Sequence, residues 1–135
     1  MMTYDMYGPW SDYTGQNSPL WASSVESDWE KNNLNMDAAI RQWIDSGASA
    51  GKLIAGIAFY GHSFTLQDPD NNWLHAPITG PGKGGPIIKE EGSWSYLEVS
   101  VFFFHKRILI CCYSFVNKEI LGIVLGTQNR KCLFA

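Results

Sequence analysis

Two short stretches carry side chains suited to holding a polar ligand. The first, "MMTYDMYGPW", sets a phenol beside a carboxylate at Tyr4 and Asp5. The second, "KLIAGIAFYGH", ends in a phenol and an imidazole at Tyr60 and His62. All four side chains combine hydrogen-bonding capacity with positions at the ends of apolar runs. They form one site only if the two runs lie side by side and end at the same rim.

The elements between them argue for that arrangement. Residues 1–5 read as a short buried strand ending in polar residues. "GPWSDYTGQNSPL" is dense in turn formers and reads as a loop. "LNMDAAIRQWIDSG" carries the clearest helix signals. Asn35 suits the N-cap, Leu34 and Ala39 fit a hydrophobic staple, and Asp37 and Arg41 stand at i,i+4. Gly47 provides the stop, and Met36, Ala39, Ile40, Trp43 and Ile44 share one face. The continuous apolar run at 52–59 reads as a strand covered on both faces. Strand, helix and strand in this order make a βαβ unit, which requires a parallel sheet, and α/β folds take ligands at the carboxyl ends of such strands. From residue 66 to 98, short apolar runs alternate with turn residues and predict small antiparallel strands.

Composition sets outer bounds. The chain has 135 residues and a formal charge of −3, which gives no argument for a nucleic-acid partner or an anionic membrane. No apolar run approaches the roughly 20 residues of a membrane span, and no secretory signal precedes Tyr4. Six Trp, six Tyr and seven Phe suit sugar or peptide binding, and equally a well-packed core.

The totals conceal a seam near residue 99. All six Trp and all six Pro lie at or before Trp94, whereas all three Cys lie beyond it, at Cys111, Cys112 and Cys132. Residues 1–98 hold 5 basic and 12 acidic groups, and residues 99–135 hold 5 basic groups and the single acid Glu119. The tail is crowded with Phe, Tyr, Ile, Asn and Lys, residues of AT-rich codons, and Val99-Ser100 can be encoded by a splice-donor sequence. The expectation is intron read-through from residue 99, with accidental cysteines rather than a disulfide framework.

The blocks "MTYDMYG", "GPWSDYTGQNSPL", "KLIAGIAFYGHSFTL" and "GPIIKEEGSWSYLEV" resemble, in order and spacing, glycoside hydrolase family 18, the chitinases and chitinase-like lectins, with an animal and insect-like wording. The resemblance covers residues 1–98. It implies an α/β fold, a partial (β/α)8 barrel at 1–65 with strands six and seven and the helix between them. The start of the α+β insertion domain would follow at 66–98, and a non-homologous tail at 99–135. It implies hydrolysis of β-1,4-linked N-acetylglucosamine by substrate assistance with retention, outside the two-carboxylate scheme. Tyr4 would orient the acetamido group, and Met2, Tyr4, Asp5, Tyr60, His62 and Glu90 would bind substrate. The partner would be chitin or a chito-oligosaccharide, with no cofactor, no metal, no nucleic acid and no membrane, and the setting extracellular.

The family's general-acid glutamate lies upstream of strand six, in a motif this chain does not contain. "ESDWE" at 26–30 imitates the end of that motif, but no apolar strand precedes it, and it reads as a solvated loop. "GPGKGGP" lacks phosphate-loop spacing, His75 reads as an exposed loop histidine, and Trp94 as a core residue of the insertion. Ser100 stands where the family places a cysteine. Two strands of a barrel leave unpaired edges, so the chain alone is expected to be unstable or aggregated and without turnover. Whether it is an enzyme is open at this stage. A chitinase, a non-catalytic chitin-binding or growth-factor-like lectin, and a non-functional truncated gene model all remain.

Overall fold

The computed structural model describes residues 1–105 and 132–134. Its centre is β1 (Tyr60–Leu66), with which the other strands among the described residues pair in antiparallel fashion. β2 (Ile78–Pro81) pairs with the end of β1 through Phe64, Thr65 and Leu66, with an irregularity between Thr65 and Leu66. β3 (Ser93–Ser95) pairs with its beginning, Tyr60 opposite Ser95 and His62 opposite Ser93. β4 (Cys132–Phe134) pairs with Ser63 to Thr65. The antiparallel strands expected over 66–98 are therefore present, and β1 runs continuously through residues 65 and 66. His62, Ser63, Phe64 and Leu66 are buried, and Leu66 forms the core with Ala76 and Ile78.

The described residues also form three α-helices. α1 (Asp28–Lys31) is a single turn closed by a capping box. The Ser27 side chain accepts from the Glu30 N–H, and Glu30 accepts from the Ser27 N–H. α2 (Met36–Asp45) is the helix read from the sequence. Asn35 Oδ1 accepts from the Ala38 N–H at 2.8 Å, Arg41 pairs with Asp37 at 2.8 Å, and Gly47 has φ +94° past the end. Its apolar face is only partly covered: Met36, Ala39 and Ile40 are half-buried, while Trp43 and Ile44 are exposed. α3 (Tyr96–His105) crosses positions 99 and 100 without interruption. The expected accidental pair Cys111 and Cys112, and the tail from 106 to 131, lie outside the described residues.

The predicted strands at 1–5 and 52–59 are corrected. Neither forms a strand, and a 3-10 turn occupies Ala50–Lys52. The two segments do run together: the Met1 nitrogen donates to the Ile54 carbonyl at 2.7 Å, and the Gly56 N–H donates to the Met1 carbonyl at 2.8 Å. Thr3, fully buried, donates through Oγ1 to the Gly56 carbonyl at 2.7 Å. This alternation is the hydrogen-bond pattern of a parallel pair. It covers only a few residues on one side, which is too little pairing for a sheet. The apolar run therefore leaves Ile54, Ile57 and Phe59 exposed, Ile54 at 79% and Phe59 at 72%. The strand begins instead at Tyr60, where β3 supplies a partner.

Candidate functional site

Asp5 stands at the end of the first extended segment, in the left-handed region at φ 61°. An L-residue pays roughly 1–2 kcal/mol there, and Asp is among the residues that tolerate it best. The turn aims the Asp5 carboxylate at the start of β1. Its Oδ1 accepts from the Tyr60 hydroxyl at 2.5 Å and lies 2.9 Å from His62 Nε2. Burial raises the Asp5 pKa, but the hydrogen bonds from Tyr60 and His62 and the attraction of His62 outweigh it, so the carboxyl is held below its ordinary range. The Tyr60 phenol is raised in turn, by burial and by the anion it faces.

His62 is buried on β1. Its Nδ1 lies 3.1 Å from the Gly92 carbonyl, which can only accept. Gly92 has φ +78°, and a side chain there would run into the Pro9 ring, so this approach of backbone to imidazole depends on glycine. Around the polar centre stand two further rings. Tyr4 meets Tyr60 edge-on at 5.9 Å, and Trp10 meets His62 edge-on at 5.1 Å. Trp10 is 63% exposed and presents an aromatic face to solvent beside the imidazole. Among the described residues, the Tyr4 hydroxyl makes no protein hydrogen bond.

Four of the six residues named from the sequence are thus brought together: Tyr4, Asp5, Tyr60 and His62. The other two are not. Met2 is 80% exposed, and its buried neighbour is Thr3. Alternation along an extended segment puts residues 2 and 3 on opposite sides. Glu90 is exposed in the turn before β3, and its main-chain carbonyl accepts from Ser93 N–H. Its contribution to the site is indirect, since that turn carries Gly92. Trp10 was not read from the sequence, where it sits in a Gly- and Pro-rich loop. Trp94 is buried, with Nε1 donating to the Lys83 carbonyl at 2.7 Å.

A second polar cluster lies apart from the first. Glu26 and Glu30, expected in a solvated loop, are both buried. Glu30 Oε1 accepts from Tyr13 OH at 2.5 Å and from Tyr7 OH at 3.0 Å. Burial raises the Glu30 pKa, but these bonds and those from Ser27 overcome it and bring it to about 2. Tyr13 is pushed up to about 12, chiefly by its bond to Glu30. Glu26 is raised by burial and accepts from the Ser23 N–H at 2.8 Å. His75, expected to be an exposed loop residue, packs against Tyr13 and Tyr7 with Nε2 buried 3.8 Å from Glu30 Oε1. This cluster braces the loop after Asp5 and offers no free acid. No group of three His, Cys, Asp or Glu side chains among the described residues has the geometry to hold a metal ion.

Comparison with known proteins places this geometry in context. Residues 1–126 match the profile of the glycosyl hydrolases family 18. Mouse chitotriosidase-1 is 42% identical over 98 residues, which cover 73% of this chain and 21% of the mouse protein. The crystal structure of Ostrinia furnacalis group IV chitinase in complex with allosamidin superposes with a TM-score of 0.73 at 38% identity, over 77% of this chain and 28% of that one. Human YKL-39, described as a pseudo-chitinase with retained chitooligosaccharide binding, superposes with a TM-score of 0.72 at 34% identity, over 77% of this chain and 29% of that one. The chain therefore spans between a fifth and a third of the length of these relatives.

Proposed function

The chain belongs to the glycosyl hydrolases family 18, and from that premise we propose that residues 1–98 supply the sugar-binding half of a chito-oligosaccharide site in a chitinase-type protein. The observation that carries this reading is the Asp5 carboxylate held by both Tyr60 and His62, with Tyr4 and Trp10 on either side. A sugar ring needs directional hydrogen bonds at its edge and an apolar face to lie against. The ionised Asp5 accepts from sugar hydroxyls or an acetamido N–H. The Tyr4 hydroxyl donates to an acetamido oxygen and fixes its direction. The exposed Trp10 indole offers the flat face. In this reading the hydrogen-bonded pair 1–3 and 54–56 belongs to neighbouring strands six and seven of the family barrel. Residues 66–98 belong to its insertion domain.

Hydrolysis by the whole protein would be substrate-assisted and retaining, with the acetamido oxygen as nucleophile and Tyr4 orienting it. That chemistry needs a proton donor for the leaving oxygen. Asp5 is a poor one, since its pKa is lowered. Glu30 and Glu98 are lowered to about 2 within networks of their own. Glu26, whose pKa is raised, sits in the second cluster. On this reading the 135-residue chain alone shows no turnover. The likeness to YKL-39, a pseudo-chitinase that retains binding, favours a second reading as a non-catalytic chitin-binding protein. An extracellular setting fits both readings, and no helix among the described residues is long and apolar enough to cross a membrane.

The test is to incubate the purified chain with tetra-N-acetylchitotetraose, measuring binding by tryptophan fluorescence and cleavage by product chromatography. Binding without cleavage is expected. Cleavage above a buffer blank overturns the assignment of no turnover, and absence of binding overturns the site.

A further inference from the structure

The candidate site depends on an interaction between three segments distant in sequence, and one side chain joins all three. Asn17 is buried in the loop between Asp5 and α1. Its Oδ1 accepts from the Asp5 N–H at 2.9 Å, and its Nδ2 donates to the Tyr60 carbonyl at 3.1 Å. Its own main-chain carbonyl accepts from the Met6 N–H at 3.1 Å. Both amides of the turn at Asp5 are thus held by one residue. The circuit closes through the site itself, because the Tyr60 hydroxyl returns to Asp5 Oδ1.

We propose that Asn17 is the positioning residue of this site, holding Asp5 in its left-handed turn and fixing Tyr60 so that one carboxylate oxygen meets both the phenol and the His62 imidazole. The chemistry of the two contacts selects the amide. An N–H requires an acceptor and a carbonyl requires a donor, and a primary amide offers both a short distance apart. The same pairing fixes which end of the amide is oxygen. Aspartate at 17 would keep the acceptor for Asp5 but turn a carboxylate oxygen towards the Tyr60 carbonyl. Serine is a single short hydroxyl and cannot span both. Without the clamp, Asp5 relaxes from the left-handed region that an L-residue leaves readily, and its carboxylate swings away from β1. Only the consequence for oligosaccharide binding rests on the sugar-site reading; the positioning itself does not.

The experiment uses the full 135-residue chain, with Asn17→Asp and Asn17→Ala as variants, Asp5→Ala as the reference for a lost carboxylate, and tetra-N-acetylchitotetraose as the probe. The structural readout is the His62 ring N–H signals in nitrogen-edited NMR, recorded without ligand. In wild type, the Asn17 side-chain amide and the Asp5 N–H exchange slowly with solvent, and the ring signal reports the Asp5 contact. Asn17→Asp shifts that signal to the position seen in Asp5→Ala and weakens binding about tenfold or more, while the amides of β1 to β3 keep their protection. A wild-type chain whose Asn17 amide and Asp5 N–H exchange freely overturns the proposal, even if neither variant folds. So does an Asn17→Asp chain with an unchanged ring signal. If the ring signal moves as expected while the wild type shows no affinity for the oligosaccharide, the positioning role stands and the sugar reading fails.

Discussion

Asp5 and His62 meet at 2.9 Å, Oδ1 to Nε2, while the other ring nitrogen of His62 faces the Gly92 carbonyl at 3.1 Å. Both nitrogens therefore point at acceptors. A neutral imidazole has one donor and one acceptor, so the roles of its two nitrogens depend on the tautomer. Burial raises the Asp5 carboxyl, and the hydrogen bonds from Tyr60 and His62 outweigh that and hold it below its ordinary range. The centre of the candidate site is thus one carboxylate oxygen shared by an imidazole and a phenol.

Replacing Asp5 by Asn removes that charge and keeps the shape. A hydrogen bond to a charged group contributes about 1.5–3 kcal/mol, so Asp5→Asn weakens chito-oligosaccharide binding by at least tenfold. Isothermal calorimetry on the two proteins at one pH checks this, and equal affinities would remove Asp5 from the site.

Trp10 is exposed, and its loss costs little folding energy. Trp10→Ala is expected to cost about 1 kcal/mol of binding with an unchanged circular dichroism spectrum. Gly8→Ala provides an independent check, because a methyl at position 8 would occupy the space of the Trp10 ring. Both variants should weaken binding in parallel; a Gly8→Ala protein with wild-type affinity would show that the position of the ring does not matter.

Glu30 governs acid sensitivity. Its pKa falls from 4.5 to about 2 on folding. A carboxyl depressed in the folded state contributes stability that is fully present above the unfolded pKa and is lost as pH falls through the folded one. Urea midpoints should therefore drop between pH 4.5 and about 2. Glu30→Gln deprives the Tyr7 and Tyr13 hydroxyls and the Ser27 N–H of their charged acceptor, which costs about 2 kcal/mol at neutral pH. It should also flatten the acid limb, and a variant that parallels wild type throughout would contradict this.

Glu98 performs the same task for the segment around β3. Its carboxylate accepts from the Ile87, Ile88 and Ser95 N–H groups at 2.5, 2.9 and 2.7 Å. Glu98→Ala should release the 85–98 segment, seen as faster amide exchange at Ile87 and Ile88 with Phe64 and Thr65 unaffected. Unchanged exchange at Ile87 would show the segment to be held by other contacts.

What could be read from the sequence was local. Asn35, the Asp37–Arg41 spacing and Gly47 announced α2 because capping and helix periodicity are decided within a turn or two. Ser27 with Glu30, and Ser95 with Glu98, are the same S-x-x-E signature. It stands in the sequence as "SDWE" and "SYLE", and the burial of Glu26 and Glu30 departs from the solvated loop that local composition predicts. The apolar run at 52–59 does not become a strand because strand formation depends on partners, and Ile54 to Phe59 have one short neighbour while Tyr60 to His62 have β3. Tyr4, Asp5, Tyr60 and His62 come together although the strand argument that grouped them does not hold in detail; the hydrogen bonds between 1–3 and 54–56 preserve the adjacency it required. Asn17 gave no signal, since "GQNSPL" reads as turn composition and its partners are 12 and 43 residues away.

The measurement that bears most directly on the sugar-site reading is the affinity of the 135-residue chain for tetra-N-acetylchitotetraose, compared between wild type and Asp5→Asn at neutral pH. Saturable binding by wild type, weakened at least tenfold in the variant and with no cleavage products, is the predicted result. Wild-type protein that retains its circular dichroism spectrum yet shows no saturable binding would contradict it.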